Sequence, residues 1–495
     1  MTNTEQIIAL TRFGLGPRQG DLSASANGLA DPRAGLLAEI ANPKVAVLEG
    51  GKLVDTVAAL TQYREFKQTR KDQRAADAAK PDAPDAMAPD DAMAPDAMTD
   101  TEMAPGKKGK ANKPGKANTR LDANIADMLR NYTLRIELPA RIARLAEAPI
   151  GLGERLTMFW ANHFAIESDN GGILKALVGP FEREAIRSNI LGRFEDLLLA
   201  ATRHPAMLIY LNNATSIGPD SRAGQKREAG LNENHAREIM ELHTLGVDGG
   251  YTQADVTSLA KILTGWSTGR NDKRPKGFGT FQFNGAAHEP GAQTLLGQAF
   301  DQKGEAQGLA ALHLLATHPA TATHIATKLV RSFIADVPPP ELVAALAKVF
   351  TDTDGDLQAV TRALVEADAA WTTPQTKLRT PQEFLYASLR ALNVSPKPAD
   401  LLQALTVLGQ PLMNPPSPAG FADDTATWLA PDAMTNRLDI AQALATAAGD
   451  VDPRAVAEAV LGSRLSRTTA QTIARAESPA QGLALMLMSP EFQRR

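Results

Sequence analysis

The feature that most restricts the fold of this chain is a nearly unbroken succession of segments whose apolar residues recur every three or four positions. From Leu121 onward, RLDANIADMLRNYTLRIELPARIARLAEA, GLGERLTMFWANHFAIES, GILKALVGPFEREAI, RFEDLLLAAT, GLNENHAREIMELHTLG, HPATATHIATKLVRSFI and PQEFLYASLRAL all show this spacing. It gathers apolar side chains on one face of a helix and does not suit a strand. Many of the segments open on Pro, Asp, Ser or Thr, and several end at Gly, the start and stop signals of helices. Only GTFQFNGAAH, residues 279–288, alternates as a strand or short hairpin would, and PPSPAGF, residues 415–421, reads as a loop by its prolines. No internal repeat of about 20–50 residues marks a solenoid. The pattern predicts a mainly α fold: a large single-domain multi-helix bundle with at most a short β-hairpin.

One stretch breaks the pattern. Residues 81–105, PDAPDAMAPDDAMAPDAMTDTEMAP, consist almost wholly of Pro, Asp, Ala and Met, and KKGKANKPGK follows. Such a segment cannot bury enough apolar surface to offset its ordering entropy. The expected organisation is an N-terminal helical part at 1–66, a disordered insert at 67–119, and the main helical domain at 120–495. The insert's methionines lie five or six apart, too sparse to favour a Cu(I) site over a simple spacer.

Composition excludes several functions. Cys is absent, so disulfides, thiolate catalysis and Cys-bound metals are ruled out. A net charge of -4 argues against a general nucleic-acid binder. No apolar run is long enough for a membrane span. The N-terminus, MTNTEQIIALTRFGLGPRQG, has neither a basic region nor an apolar core. A cytoplasmic location is expected.

Familiar catalytic motifs fail on inspection. GLGP at 14–17 lacks the spacing of a phosphate loop, and neither HExxH nor a GxSxG elbow occurs. DTDGD at 352–356 imitates a calcium loop but reads more simply as the cap before a helix starting near Leu357. His204 and His318 each precede Pro and read as helix-entry residues. Tyr251, Trp266 and Trp428 could line a cleft, although single aromatics usually pack in the core.

The informative stretch is GLNENHAREIMELHTLGVDGGYTQ. On a regular helical wheel Glu238 falls within about 40° of Asn234 and among Leu231, Leu242 and Leu245, with Glu241 at the edge and Arg237 beside Glu241. A buried carboxylate must be paired, protonated or metal-bound. Three readings stay open: an ion-pair network, with Arg237 on Glu241 or a neighbouring Arg on Glu238; a divalent metal site; and an acid/base carboxylate pair. His163, in FWANHFAIE, would share a helical face with Glu167, and His288 sits in the turn NGAAHEPG. With Glu238 and Glu241 they would form a His/carboxylate set of the kind that holds Fe, Mn or Zn.

RFGLGPR, LTMFWANHF, HPAMLIYLNN, NENHAREIMELHTLGVDGGYTQADVTSLAKILTGW, HPATATHIATKLVRSFI, PPSPAGF and the closing SPEFQRR together resemble the bacterial domain-of-unknown-function 1800 family. The resemblance runs in order from about residue 9 to the C-terminus, interrupted by the insert. It implies no reaction. It implies that the segments holding His163, Asn232, Glu233, Asn234, Arg237, Glu238, Glu241, Trp266 and His288 belong to a shared pattern. This chain departs from that pattern at Glu289, where Asp is expected, and at His235, where an aromatic is common. The resemblance also implies an exported sulfatase-like partner, and through it a periplasmic or secreted location.

The leading expectation is a metal-assisted hydrolase or oxidase. His163, His288, Glu238 and Glu241 would hold the metal, which lowers the pKa of a bound water or binds oxygen. Arg237 would bind an anionic group, and Asn232 and Asn234 would supply neutral hydrogen bonds. The alternatives are a non-catalytic helical scaffold or chaperone-like partner of an exported protein, and a metal-free carbohydrate-active hydrolase using paired carboxylates.

Overall fold

The computed structural model describes residues 3–23, 29–50, 52–78, 136–226, 230–269 and 277–495. It is mainly α, with two antiparallel two-stranded sheets among the described residues. Trp266–Thr268 pairs with Phe281–Phe283, inside the stretch expected to be extended, and Gln293–Leu295 pairs with Gln298–Phe300. No described helix is long and apolar enough to cross a membrane. The helix Thr56–Ala78 runs on past residue 66, where the sequence leads one to expect the insert to begin. Tyr63 and Phe66 of that helix pack on Ala176 and Ile173, which holds its first half to the body. The rest of the expected insert lies outside the described residues.

Proline-led entries start many of the helices, as the sequence indicates. His204 and His318 are the N-caps of Pro205–Tyr210 and Pro319–Phe333, each Nδ1 accepting the N–H two residues on. Asp356 caps Leu357–Glu366, so DTDGD is a turn and a cap. Thr380 and Glu383 close a capping box at the head of Pro381–Leu392.

Two apolar cores organise the molecule. The larger runs from Ile8 to Trp371 and includes Phe159, Trp160, Phe164, Met240 and Phe333. The smaller is built from Leu138, Leu145, Phe384, Leu385, Tyr386 and C-terminal residues out to Phe492, with Leu15 reaching in from the N-terminus. The helix Leu152–His163 runs along the seam, with Phe159 in the first core and Met158 against the second. Its entry is tightly held. The Glu39 carboxylate accepts the N–H groups of Ile150, Gly151 and Leu152 at 2.7–3.3 Å, an anion on a helix N-terminus. Gly151 turns with φ +99°, and a side chain there would strike Leu15.

Ionic networks pin the two cores together. Arg187 grips Glu154 at 2.7 Å and Glu182 at 2.6 Å, and Arg141 adds a bond to Glu182 at 2.9 Å. On the other side Glu383 is held by Arg155 and, at 2.8 Å, by Arg495. All these side chains are buried. Their guanidinium partners overcome burial and hold the carboxyls of Glu182 and Glu383 down to about 2.

Candidate functional site

The expected four-ligand set does not assemble. His163 is buried, and its Nε2–H donates to the His243 carbonyl at 3.1 Å. Its ring is wedged among Phe159, Trp160 and Phe164, with centroids 4.6–6.3 Å away. His288 instead donates from Nδ1 to the Thr264 carbonyl at 3.0 Å. Among the described residues no cluster of three or more His, Asp or Glu side chains is arranged to hold a metal ion. Glu167 does not share a helical face with His163, because the helix stops at His163.

Glu238 and Glu241 do lie side by side, both half-buried. The regular wheel fails here. The α-helix Asn234–Glu238 passes into a π-turn, Ile239–His243, which rotates everything beyond Glu238. Glu238 makes no hydrogen bond or ion pair with a described residue. Burial first, and then Glu241, raise its pKa, against the pull of Arg237. Arg237 pairs with Glu233 at 3.2 Å and Gln253 at 2.9 Å, not with Glu241. Tyr210 and Tyr251 flank the carboxylates, and burial followed by the charge of Glu167 pushes the Tyr210 phenol up to about 12. Asn232 and Asn234 are local. Asn232 Oδ1 accepts the Asn234 N–H at 3.0 Å and thereby shapes the helix entry.

Trp266 and Trp428 are core residues. Glu289 is buried too, accepting the Asp220 N–H at 2.9 Å and lying 3.6 Å from Lys261, so its carboxylate ties loops together. His235 is a neutral ring in the core with both nitrogens unpartnered, and burial drives its pKa down to about 3.

The notable concavity lies elsewhere, at the seam of the two cores. It is a cavity of about 520 Å³, within the range of small-molecule sites. Leu152–His163 supplies Phe159, Asn162 and His163, and Pro319–Phe333 supplies Lys328, Arg331 and Ser332. Glu383 and Tyr386 come from Pro381–Leu392, and Pro415, Ala419, Phe421 and Asp423 come from the loop beyond the next helix, Pro398–Val407. The walls are mixed. Phe159, Ile166, Phe181, Leu412 and Met413 are apolar, and the two ionic networks show their edges.

Two features give this cavity chemistry. The first is the loop. Asn162 clamps it from both sides, with Nδ2 donating to the Phe421 carbonyl at 3.0 Å and Oδ1 accepting the Phe421 N–H at 2.7 Å. Gly420, at φ +83°, lets the backbone close on Asn162, where a side chain would clash.

The second feature is Lys328. It is half-buried, faces the cavity, and makes no hydrogen bond or ion pair with a described residue. Nearby Lys377 takes the acidic partners, bonding Asp336 at 2.7 Å and Asp423 at 3.1 Å. Burial brings Lys328 down to about 8. Arg331 adds to the shift and Asp423 opposes it.

Around Lys328 stand three imidazoles. The centroids of His243 and His324 lie 5.9 and 6.2 Å from that of His163. His324 donates from Nε2 to the Leu242 carbonyl at 3.1 Å, so the π-turn gives one carbonyl to each of two histidines. A carbonyl only accepts, so both rings carry their proton on Nε2 and keep a lone pair on Nδ1. Burial first, with Lys328 next for His163 and His324, keeps these rings neutral, His324 down to about 4. His243 is lowered by burial, His235 and then Lys328.

Lys328 does not stand out in the sequence. The available signal was a polar stripe, His324, Lys328 and Arg331 or Ser332, recurring at helical spacing in an otherwise apolar helix.

The family profile described as "Protein of unknown function (DUF1800)" matches residues 8–494, nearly the whole chain. No curated protein and no solved structure matches it.

Proposed function

The chain belongs to the DUF1800 family, and from that premise we propose that it binds and acts on a small organic molecule of mixed polarity in the seam cavity, with Lys328 as the reactive group. The observation that carries this reading is a lysine without an ion-pair partner among the described residues, lining a cavity of about 520 Å³. A half-buried charge without a partner among the described residues is costly, so a fold that merely needed a helix here gains nothing from Lys328. Aromatic and aliphatic walls would hold the ligand's apolar part. Arg331 and Ser332 would meet its polar end. Lys328 near neutrality can take up or give a proton, or attack as a nucleophile. A scaffold protein has no use for such a set of converging polar groups.

A second reading is favoured by the partnerless Glu238 beside Glu241: this pair would exchange protons with a substrate outside the cavity, as in metal-free hydrolysis by paired carboxylates.

The test is binding of anilinonaphthalene sulfonate, an aromatic anion, followed by fluorescence. Binding should fall by about tenfold or more in Ala419→Trp, which fills the mouth, and in Lys328→Met, which removes the charge. Binding that ignores both substitutions contradicts the cavity reading. Loss of activity in Glu238→Gln with unchanged probe binding would favour the second.

A further inference from the structure

We infer that Lys328 is a carbonyl-capturing amine, and that the ligand class of the seam cavity is an aldehyde or ketone held there as an imine. The inference rests on the cavity reading above and deepens it. Three observations converge on this chemistry. The amine projects into the cavity without an ion-pair partner among the described residues, so its lone pair need not be released from a carboxylate. Much of the surrounding wall is apolar, including Phe159, Ile166 and Met413, which suits dehydration because expelled water is not held there. Titratable and charged groups face the same amine from several elements: His324 and the fixed cation Arg331 on its own helix, His163 at the end of Leu152–His163, His243 in the π-turn, and Asp423 in the loop; of these the imidazoles and the carboxylate can carry a proton.

The step balances without a further reactant. The neutral Nζ attacks the carbonyl carbon, forming the C–N bond while the C=O π pair moves to oxygen. A proton passes from nitrogen to that oxygen, giving a carbinolamine. The second nitrogen proton joins the hydroxyl, the C–O bond breaks, and water leaves as the C=N bond forms. The neutral imidazoles of His163 and His324, each keeping a lone pair on Nδ1, are suited to relaying these protons.

An amine titrating near 8 is about half neutral at pH 8, whereas an ordinary lysine is under about 1% neutral there. Its lower basicity also makes it a weaker nucleophile, which offsets part of that advantage and leaves an effect on the order of tenfold.

The full chain is incubated with benzaldehyde at pH 8, reduced with borohydride, and mapped by peptide mass spectrometry. Lys328 should carry the reduced adduct on the order of tenfold faster than exposed lysines such as Lys348, and Ala419→Trp should suppress it. A Lys328→Met chain, checked for folding by circular dichroism, should label only at the slow background rate. If the sulfonate probe binds in the cavity but Lys328 labels no faster than Lys348, the imine inference is overturned while the cavity reading stands. If Ala419→Trp alters neither probe binding nor labelling, both fail.

Discussion

Glu238 sits half-buried without a hydrogen-bond or ion-pair partner among the described residues, with Glu241 alongside raising its pKa further. A carboxyl whose folded pKa lies above its unfolded value adds stability at low pH and loses it as pH rises through the folded pKa. At neutral pH its charge is therefore a burden, and Glu238→Gln should relieve it. Thermal unfolding of this variant should match the parent or exceed it, within about 0.5 kcal/mol. A loss of about 2 kcal/mol or more would reveal a partner for Glu238. His235 makes the same point in the core: both ring nitrogens are buried and unpartnered. His235→Phe should raise stability by about 1 kcal/mol in urea unfolding, since an unsatisfied polar ring is exchanged for an apolar one. A drop would mean that the imidazole makes a bond the larger ring destroys. Glu238 stood out in the sequence because acids are rare on apolar faces. Lys328 did not, because one lysine in a helix normally lies in solvent, and only the tertiary packing removes it from water.

At the scale of single elements, helix entries were legible because their chemistry is local. His318 before Pro319, Thr380 before Pro381 and Asp356 in DTDGD each accept neighbouring N–H groups, so a few residues suffice to read these entries. The π-turn Ile239–His243 was not legible. One extra residue per turn moves Glu241 and His243 off a regular wheel, and nothing in IMELH itself demands it. The result is a fixed pair of imidazoles, because the turn's spare carbonyls hold His163 and His324. The loop 415–421 was readable as a loop by its prolines, but its anchor was not, since Asn162 lies far away in the chain. Asn162 is a positioning residue for the cavity wall. Asn162→Ala should leave the helix content unchanged and weaken probe binding about three- to tenfold, with faster amide exchange confined to the loop and its neighbours. Unchanged binding with unchanged exchange would show that the wall needs no such clamp.

For the molecule as a whole, two cores meet across a cavity and are tied by buried ion networks. Segment composition foretold a mainly α chain. It could not foretell the cavity, whose lining comes from helices and a loop spread from Arg141 to Asp424. Glu383 is the tie with the most at stake, because Arg155 and Arg495 both depend on it. Glu383→Gln should cost about 3–5 kcal/mol, leaving two buried guanidinium groups without a counter-charge. The wild-type pH dependence follows from the same pairs. Glu182 and Glu383 titrate near 2 in the fold against 4.5 in the unfolded chain, so their stabilisation is present above 4.5 and drains away as pH falls toward 2. Urea midpoints measured across that window should fall steeply for the parent and less steeply for Glu383→Gln.

The measurement that bears most directly on the central claim is the pH profile of Lys328 acylation by a small amine reagent, read peptide by peptide in the intact chain. Lys328 should show a midpoint near 8, with labelling blocked in Ala419→Trp. A midpoint near the ordinary lysine value of about 10.4, indifferent to that substitution, would place Lys328 in open solvent and contradict the proposed site.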